Sequence, residues 1–322
     1  MKILVLGAAG MLGHRVYLTL REQKSDASKK IQAVVRKPAS NYKSLNLFDD
    51  KDLVHSVNLE DTAQLKKLLD QTDPDLIINC AGVTTRKIKP TETARVVELN
   101  ATLPHRLKNW CEINHRRLIH ISTDCVFTGD QTAVQSPPYG EESITDAMDL
   151  YGRSKALGEV DGDQILTLRT SIVGLEIENR SELLEWFLSQ KGKTINGFSK
   201  VIYSGVSTFF LARTIAEIVS KHKKISGIFQ VASQPIAKYE LLTMANRIFE
   251  NNCTILPVEV PGHDKSLLNK KFLTATGIQT PDWETMLTEM KSARDVQTWY
   301  QHNDQNNHQG KRQRNQTQRR AS

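Results

Sequence analysis

The apolar run Lys2-Ile3-Leu4-Val5-Leu6 leads directly into Gly7-Ala8-Ala9-Gly10-Met11-Leu12-Gly13, and a helical pattern continues from about Met11 to Glu22. A strand that ends in three glycines at the mouth of a helix has few uses. Glycines there permit a tight turn, let the backbone approach a pyrophosphate and pack the helix closely on the sheet, while the helix N-terminus supplies N–H donors. Gly7, Gly10, Met11, Leu12 and Gly13 are therefore the expected phosphate-binding residues. The spacing is GxxGxxG rather than GxGxxG, and a plain tight turn is the competing reading; the position after a clean strand favours the phosphate site.

Short apolar runs recur at Ile31 to Val35, Leu76 to Cys80, Leu118 to Ser122, Ile165 to Leu168 and Ile228 to Val231. Between them, apolar residues spaced three and four apart predict helices over Thr62 to Gln71, Glu92 to Asn114 and Tyr151 to Val160. Strands alternating with helices imply right-handed crossovers and a parallel sheet, an α/β Rossmann doubly wound fold. After Gly174 the pattern turns irregular, with Pro and Gly recurring. At 322 residues the chain has room for a second region. The expected division is a dinucleotide-binding domain over 1–173 and about 208–236, with a smaller substrate-binding region over about 174–207 and 237–300.

The formal charge of +7 is concentrated at one end. Residues 301–322 hold Lys311, Arg312, Arg314, Arg319 and Arg320 against Asp304 alone, and no aliphatic residue larger than Ala321. Such a stretch cannot offset the entropy of ordering itself and is expected to be disordered. It reads as a solvated extension before it reads as a contact for RNA, DNA or an acidic partner, so nucleic acid is not an expected ligand. No stretch of 18 apolar residues occurs, which argues against a membrane helix. Cys80, Cys111, Cys125 and Cys253 form no CxxC pair, and the histidines show no ligand spacing. No metal is expected, and reduced thiols fit a cytoplasmic protein.

The second apolar run ends Val34-Val35-Arg36-Lys37. An acid at this position would bond the adenosine ribose 2′-hydroxyl; a basic pair accommodates a 2′-phosphate and favours NADPH, with NADH the other option. Ordinary solvated loop charges are the competing reading. Tyr151 and Lys155 stand four residues apart, on one helical face. A nearby cation favours tyrosinate, so the expectation is a phenol with a lowered pKa. Ser122-Thr123-Asp124 ends a predicted strand, where open parallel sheets place their ligands, and its hydroxyls suit a substrate oxygen.

These segments resemble the extended short-chain dehydrogenase/reductases: the glycine turn, Asn79-Cys80-Ala81-Gly82, Ser122-Thr123-Asp124-Cys125-Val126-Phe127 and Tyr151 to Lys155. More closely, His120 to Gly129, Tyr151 to Glu159 and Leu168-Arg169-Thr170-Ser171 resemble the dTDP-4-dehydrorhamnose reductase group, over about residues 1–298. The resemblance implies a Thr123, Tyr151, Lys155 triad, in which tyrosine protonates a carbonyl oxygen, a nicotinamide delivers hydride, and lysine holds the nicotinamide ribose and tunes the tyrosine. It implies cofactor contacts at Cys80, Ala81 and Gly82 and at Asn58 and Leu59, and substrate contacts at Thr123, Asp124 and Ile172. Tyr203 to Thr208 resembles, loosely, the loop lining the sugar-nucleotide groove, which puts Ser204 and Thr208 among the substrate contacts. The implied substrate is a nucleotide-linked 4-keto-6-deoxyhexose, reduced for surface polysaccharide.

Relatives commonly carry tyrosine where Cys125 stands and tryptophan where Ile172 stands. The smaller Ile172 suggests another hexose, such as an N-acetylated sugar on UDP. Asn58 replaces an acid that often contacts adenine. Two alternatives share the fold: a non-catalytic NADP-binding regulatory subunit like methionine adenosyltransferase beta, and an epimerase recycling bound NAD. Arg36 and Lys37 speak against tight retention of NAD. A sugar nucleotide is the implied partner, a homodimer is left open, and no membrane is expected.

Overall fold

The computed structural model describes residues 1–23, 29–130, 135–259, 262–297 and Tyr300. The basic tail over 301–322 lies outside the described residues. Strand β1 (Lys2–Leu6) turns at Gly7 and enters α1 (Gly13–Glu22), two residues later than the sequence pattern suggests. The turn itself is the cause. Gly7 has φ +72°, a conformation that favours glycine, and its carbonyl accepts from Gly10 N–H at 2.9 Å, so residues 7–12 are spent reversing direction.

The chain continues through β2 (Lys30–Val34), β3 (Leu53–Val54), α2 (Thr62–Thr72) and β4 (Leu76–Asn79). The single helix expected over 92–114 is three pieces: α3 (Thr93–Val97), a π turn over Glu98–Thr102, and α4 (Leu103–Ile113). Pro104, near the start of α4, has no N–H to return to the Asn100 carbonyl, and the widened turn absorbs the missing bond. Next come β5 (Arg117–Ile121), α5 (Leu150–Leu157) and β6 (Ile165–Arg169). Helix α5 stops three residues short of Val160 because Gly158 N–H closes it on the carbonyls of Ser154 and Lys155.

Beyond Arg169 lie β7 (Ile172–Val173), α6 (Leu183–Leu188), β8 (Thr194–Phe198), β9 (Val201–Tyr203) and β10 (Val206–Ser207). Then follow α7 (Thr208–Ser220), β11 (Gly227–Gln230), β12 (Ile236–Ala237), α8 (Lys238–Ile248) and β13 (Thr254–Val258). The last elements are β14 (His263–Asp264), α9 (Lys270–Thr276) and α10 (Trp283–Val296).

Among the described residues the main sheet has seven parallel strands in the order β11-β6-β5-β4-β1-β2-β3. Both faces are covered, as a parallel sheet requires. Along β1 the side chains alternate: Ile3 and Val5 join the core that holds α1 and α7, and Leu4 and Leu6 join the core that holds α2 and α4. Small sheets made by β7 with β10, β9 with β12 and β14, and β8 with β13 gather the irregular second half of the chain. The strand order reverses between β1 and β4, which opens a crevice at their carboxyl ends.

Candidate functional site

The crevice begins at the glycine turn. A Cβ on Gly13 would lie 2.2 Å from the Gly7 carbonyl oxygen, so only glycine lets α1 start this close to β1. No side chain caps α1 and its first turn has no acid, which leaves its N-terminal N–H groups to an anion. Gly7, Gly10 and Met11 line one cavity together with Arg36, Lys37, Asn58, Leu59, Cys80, Ala81 and Gly82. Leu12 lines the adjoining cavity, and Gly13 lines neither because it is the packing glycine beneath the turn. The two cavities share Gly10, Met11 and the 80–82 segment, so they form one continuous cleft.

At the far end of that cleft stand Thr123, Asp124, Tyr151, Lys155 and Ile172. Gly152 is what brings the tyrosine to the threonine: a Cβ there would meet the Cys125 carbonyl oxygen at 2.2 Å, so glycine lets α5 sit directly on the turn that follows β5. Asp149 caps α5 by accepting from Gly152 N–H at 3.0 Å. Thr123 Oγ1 accepts from Cys125 N–H at 3.1 Å and donates to Asp124 Oδ1 at 3.1 Å. The Tyr151 hydroxyl shares a hydrogen bond with Thr123. A buried ion pair braces this end: Glu159 accepts from Arg169 Nε at 2.7 Å and from Ser122 Oγ at 2.7 Å.

The expected lowering of the Tyr151 pKa does not occur. Burial raises the phenol well above its ordinary value, the Cys125 side chain adds to the rise, and the Thr123 hydrogen bond only partly offsets them. Burial also lowers Lys155, to about 8 against the pull of Glu159 and Cys80, which leaves it mainly an ammonium at neutral pH without enough pull to offset the burial of the phenol. Asp124 is raised by burial, with Lys265 and hydrogen bonds from Thr123, Cys125 and Ser171 opposing. Burial likewise pushes the Cys125 thiol up to about 12, which makes it a packing group rather than a nucleophile.

Two expected substrate contacts do not reach the cleft. Ser204 is buried with its hydroxyl accepting from Leu267 N–H at 2.8 Å, and Thr208 starts α7 with its side chain packed against Gly174. Lys37 does reach it but is already engaged, its Nζ lying 2.9 Å from Glu178 Oε1.

The sequence pattern missed several lining residues. Arg86 and Lys87 follow the Asn79 to Gly82 segment as a basic pair, a signal of the same kind as Arg36 and Lys37. Glu176 and Glu178 cross to them from the other side, Glu176 pairing with Lys87 at 3.2 Å. Lys238, His263 and Lys265 line a further cavity with Asp124 and Ile172 and carry no motif. Among the described residues no group of three or more His, Cys, Asp or Glu is set to hold a metal, and no helix is long and apolar enough to cross a membrane.

A family described as the RmlD substrate binding domain matches residues 1–295. The chain is 32% identical over 240 residues to a probable low-salt glycan biosynthesis reductase, Agl14, of Haloferax volcanii, covering 71% of this chain and 74% of that one. It is 26% identical over 254 residues to methionine adenosyltransferase 2 subunit beta of Xenopus laevis, covering 74% and 70%. Among solved structures, dTDP-4-dehydrorhamnose reductase of Bacillus anthracis in complex with NADP superposes with a TM-score of 0.70 at 20% identity, over 90% of this chain and 98% of that one.

Proposed function

The chain belongs to the RmlD substrate binding domain family, and from that premise we propose that it is an NADPH-dependent reductase of a nucleotide-linked 4-keto-6-deoxyhexose. One observation carries the reading. The cleft that starts at the uncapped N-terminus of α1 ends at Thr123, Tyr151 and Lys155, so a dinucleotide bound along the glycine turn has its far end beside an acid.

The residues present fit such a cofactor. Met11 and Leu12, in the turn at the N-terminus of α1, would offer N–H groups to a pyrophosphate, Arg36 and Lys37 would take a 2′-phosphate, and Lys155 would hold the nicotinamide end. A bound nicotinamide supplies hydride to the carbonyl carbon. Tyr151, kept as a neutral phenol by burial, gives its proton to the carbonyl oxygen, and the product is the alcohol. Thr123, hydrogen-bonded to the phenol, orients Tyr151 in the cleft. Ile172 faces the sugar side of the cleft, where its modest size leaves room for a substituent such as an N-acetyl group. A UDP-linked N-acetylated sugar made for a surface polysaccharide is the finer form of the proposal. Agl14, named as a glycan biosynthesis reductase, supports the coarser one.

The likeness to methionine adenosyltransferase 2 subunit beta supports a second reading, an NADP-binding regulatory subunit. Purified protein incubated with NADPH and a panel of dTDP- and UDP-linked 4-keto sugars separates the two. Oxidation of NADPH by any member supports the reductase; NADPH binding with no turnover across the panel favours the subunit.

A further inference from the structure

Where the two cavities of the cleft join, its lips are bridged by side chains. One lip is the turn Thr84 to Lys87, which follows β4; the other is the segment from Glu176 to Glu182, between β7 and α6. Thr84 Oγ1 donates to Glu182 Oε1 at 2.6 Å, and Arg86 Nη1 donates to the Ser181 carbonyl at 2.9 Å. Lys87 Nζ lies 3.2 Å from Glu176 Oε1 and 3.6 Å from Glu182 Oε1. Lys87 lines both cavities, as Gly10 and Met11 do, so these bonds cross the cleft at its join.

Each lip is fixed at its root. The Asn100 side chain holds the first, accepting from Val83 N–H at 2.8 Å and donating to the Val83 carbonyl at 3.0 Å, and Ile88 beyond the turn packs on the core of α2 and α4. The second is pinned by the buried Leu175 and Ile177, which join the core of α1 and α7. Within it Asn179 and Arg180 are both left-handed, with φ +63° and +45°, a conformation that costs free energy in residues with a side chain. The Glu176 carboxylate sustains that turn. Its Oε2 accepts from the N–H groups of Ser181 and Glu182 at 2.6 and 2.7 Å, and Oε1 is left for Lys87. The acidic lip is therefore a fixed catch, and the side chains of Thr84, Arg86 and Lys87 are the bolt. The Lys87 side chain is 32% exposed, so water replaces its carboxylate partners at small cost.

We infer that these side chains form a latch across the cleft which a dinucleotide undoes to enter and to leave, so that the latch sets the rate of cofactor exchange. The inference rests on the proposed reading of the cleft as a dinucleotide site: with one end at Arg36 and Lys37 and the other at Lys155, the molecule runs through the join and passes the bolt. A latch that bonds the chain to itself acts on passage rather than on the bound state. Loosening it speeds entry and departure alike. Stopped-flow NADPH fluorescence on the full chain measures both rate constants in wild type, Thr84→Val, Glu182→Gln and Thr84→Ser. Thr84→Val removes the hydroxyl that reaches Glu182, and Glu182→Gln removes the charge that holds Thr84 and Lys87. Both are expected to raise kon and koff together by about three- to ten-fold, with Kd staying within about two-fold of wild type. Thr84→Ser keeps a hydroxyl and is expected to keep the wild-type rates. Rate constants unmoved in both folded variants overturn the inference, and so does a rise in koff with kon unchanged, which would make Thr84 and Glu182 contacts of the bound cofactor instead. A wild type that binds no dinucleotide would overturn the reading of the site itself, and the latch with it.

Discussion

Tyr151 can donate a proton only while it has one, and its buried hydroxyl keeps it. Tyr151→Phe removes the donor and leaves the ring's packing, so ketone reduction is expected to slow by about 10²–10⁴ while NADPH affinity by titration stays near wild type. A variant that reduces the keto sugar at the wild-type rate would remove tyrosine from the mechanism. The pairing of Tyr151 with Lys155 was legible in the sequence because a spacing of four sets two side chains on one helical face whatever surrounds the helix. The protonation state of the pair was not legible. It depends on how deeply the fold buries the phenol and the ammonium. Ser204 was illegible for a similar reason: the direction of its hydroxyl is decided by a partner distant in the chain, the Leu267 N–H.

At the scale of elements, the glycine turn and six of the seven parallel strands were readable to within a residue or two, since local periodicity and glycine chemistry fix them, whereas the two-residue β3 drew no expectation. The two-residue strands beyond Arg169 were not, because they exist only through pairing with one another. The acidic segment that includes Glu176 and Glu178 belongs to that illegible part, and it meets the cofactor end of the cleft at Lys87 and Lys37. A 2′-phosphate bound at Lys37, as proposed, would have to compete with Glu178 for it. NADPH is expected to bind more tightly than NADH through Arg36 and Lys37. Glu178→Gln should widen that gap by roughly two- to five-fold, the range of an exposed ion pair worth ~0.5–1 kcal/mol. Fluorescence titration with both cofactors checks it; equal tightening of NADH and NADPH would show that Glu178 does not act on the phosphate.

The whole molecule is tied together where its described C-terminal end returns to its beginning. His14, one residue into α1, bonds the Gly10 carbonyl through Nδ1 at 2.8 Å and the Tyr300 hydroxyl through Nε2 at 2.7 Å. Tyr300 is 1% exposed, so this bond lies in the interior, behind the phosphate-binding turn. Tyr300→Phe leaves a buried ring nitrogen without that partner and is expected to cost about 1–3 kcal/mol in chemical denaturation. Burial, reinforced by Arg15 and opposed by the Gly10 carbonyl, lowers His14 from 6.5 to about 4. Above pH 6.5 the ring is neutral whether the chain is folded or not, and the pH has no leverage. Between 6.5 and 4 the unfolded chain binds a proton that the folded one refuses, so acid draws the equilibrium toward unfolding, by about 3 kcal/mol across the window. Asp124 and Glu185 act with the opposite sign, because burial raises their pKa and the folded chain binds protons first as the pH falls. The difference between proteins, rather than the total slope, therefore isolates the histidine. Unfolding free energies of wild type and His14→Gln at pH 7 and pH 4.5 should show a smaller acid loss in the variant. Parallel losses in the two proteins would mean that His14 takes up its proton without unfolding the chain.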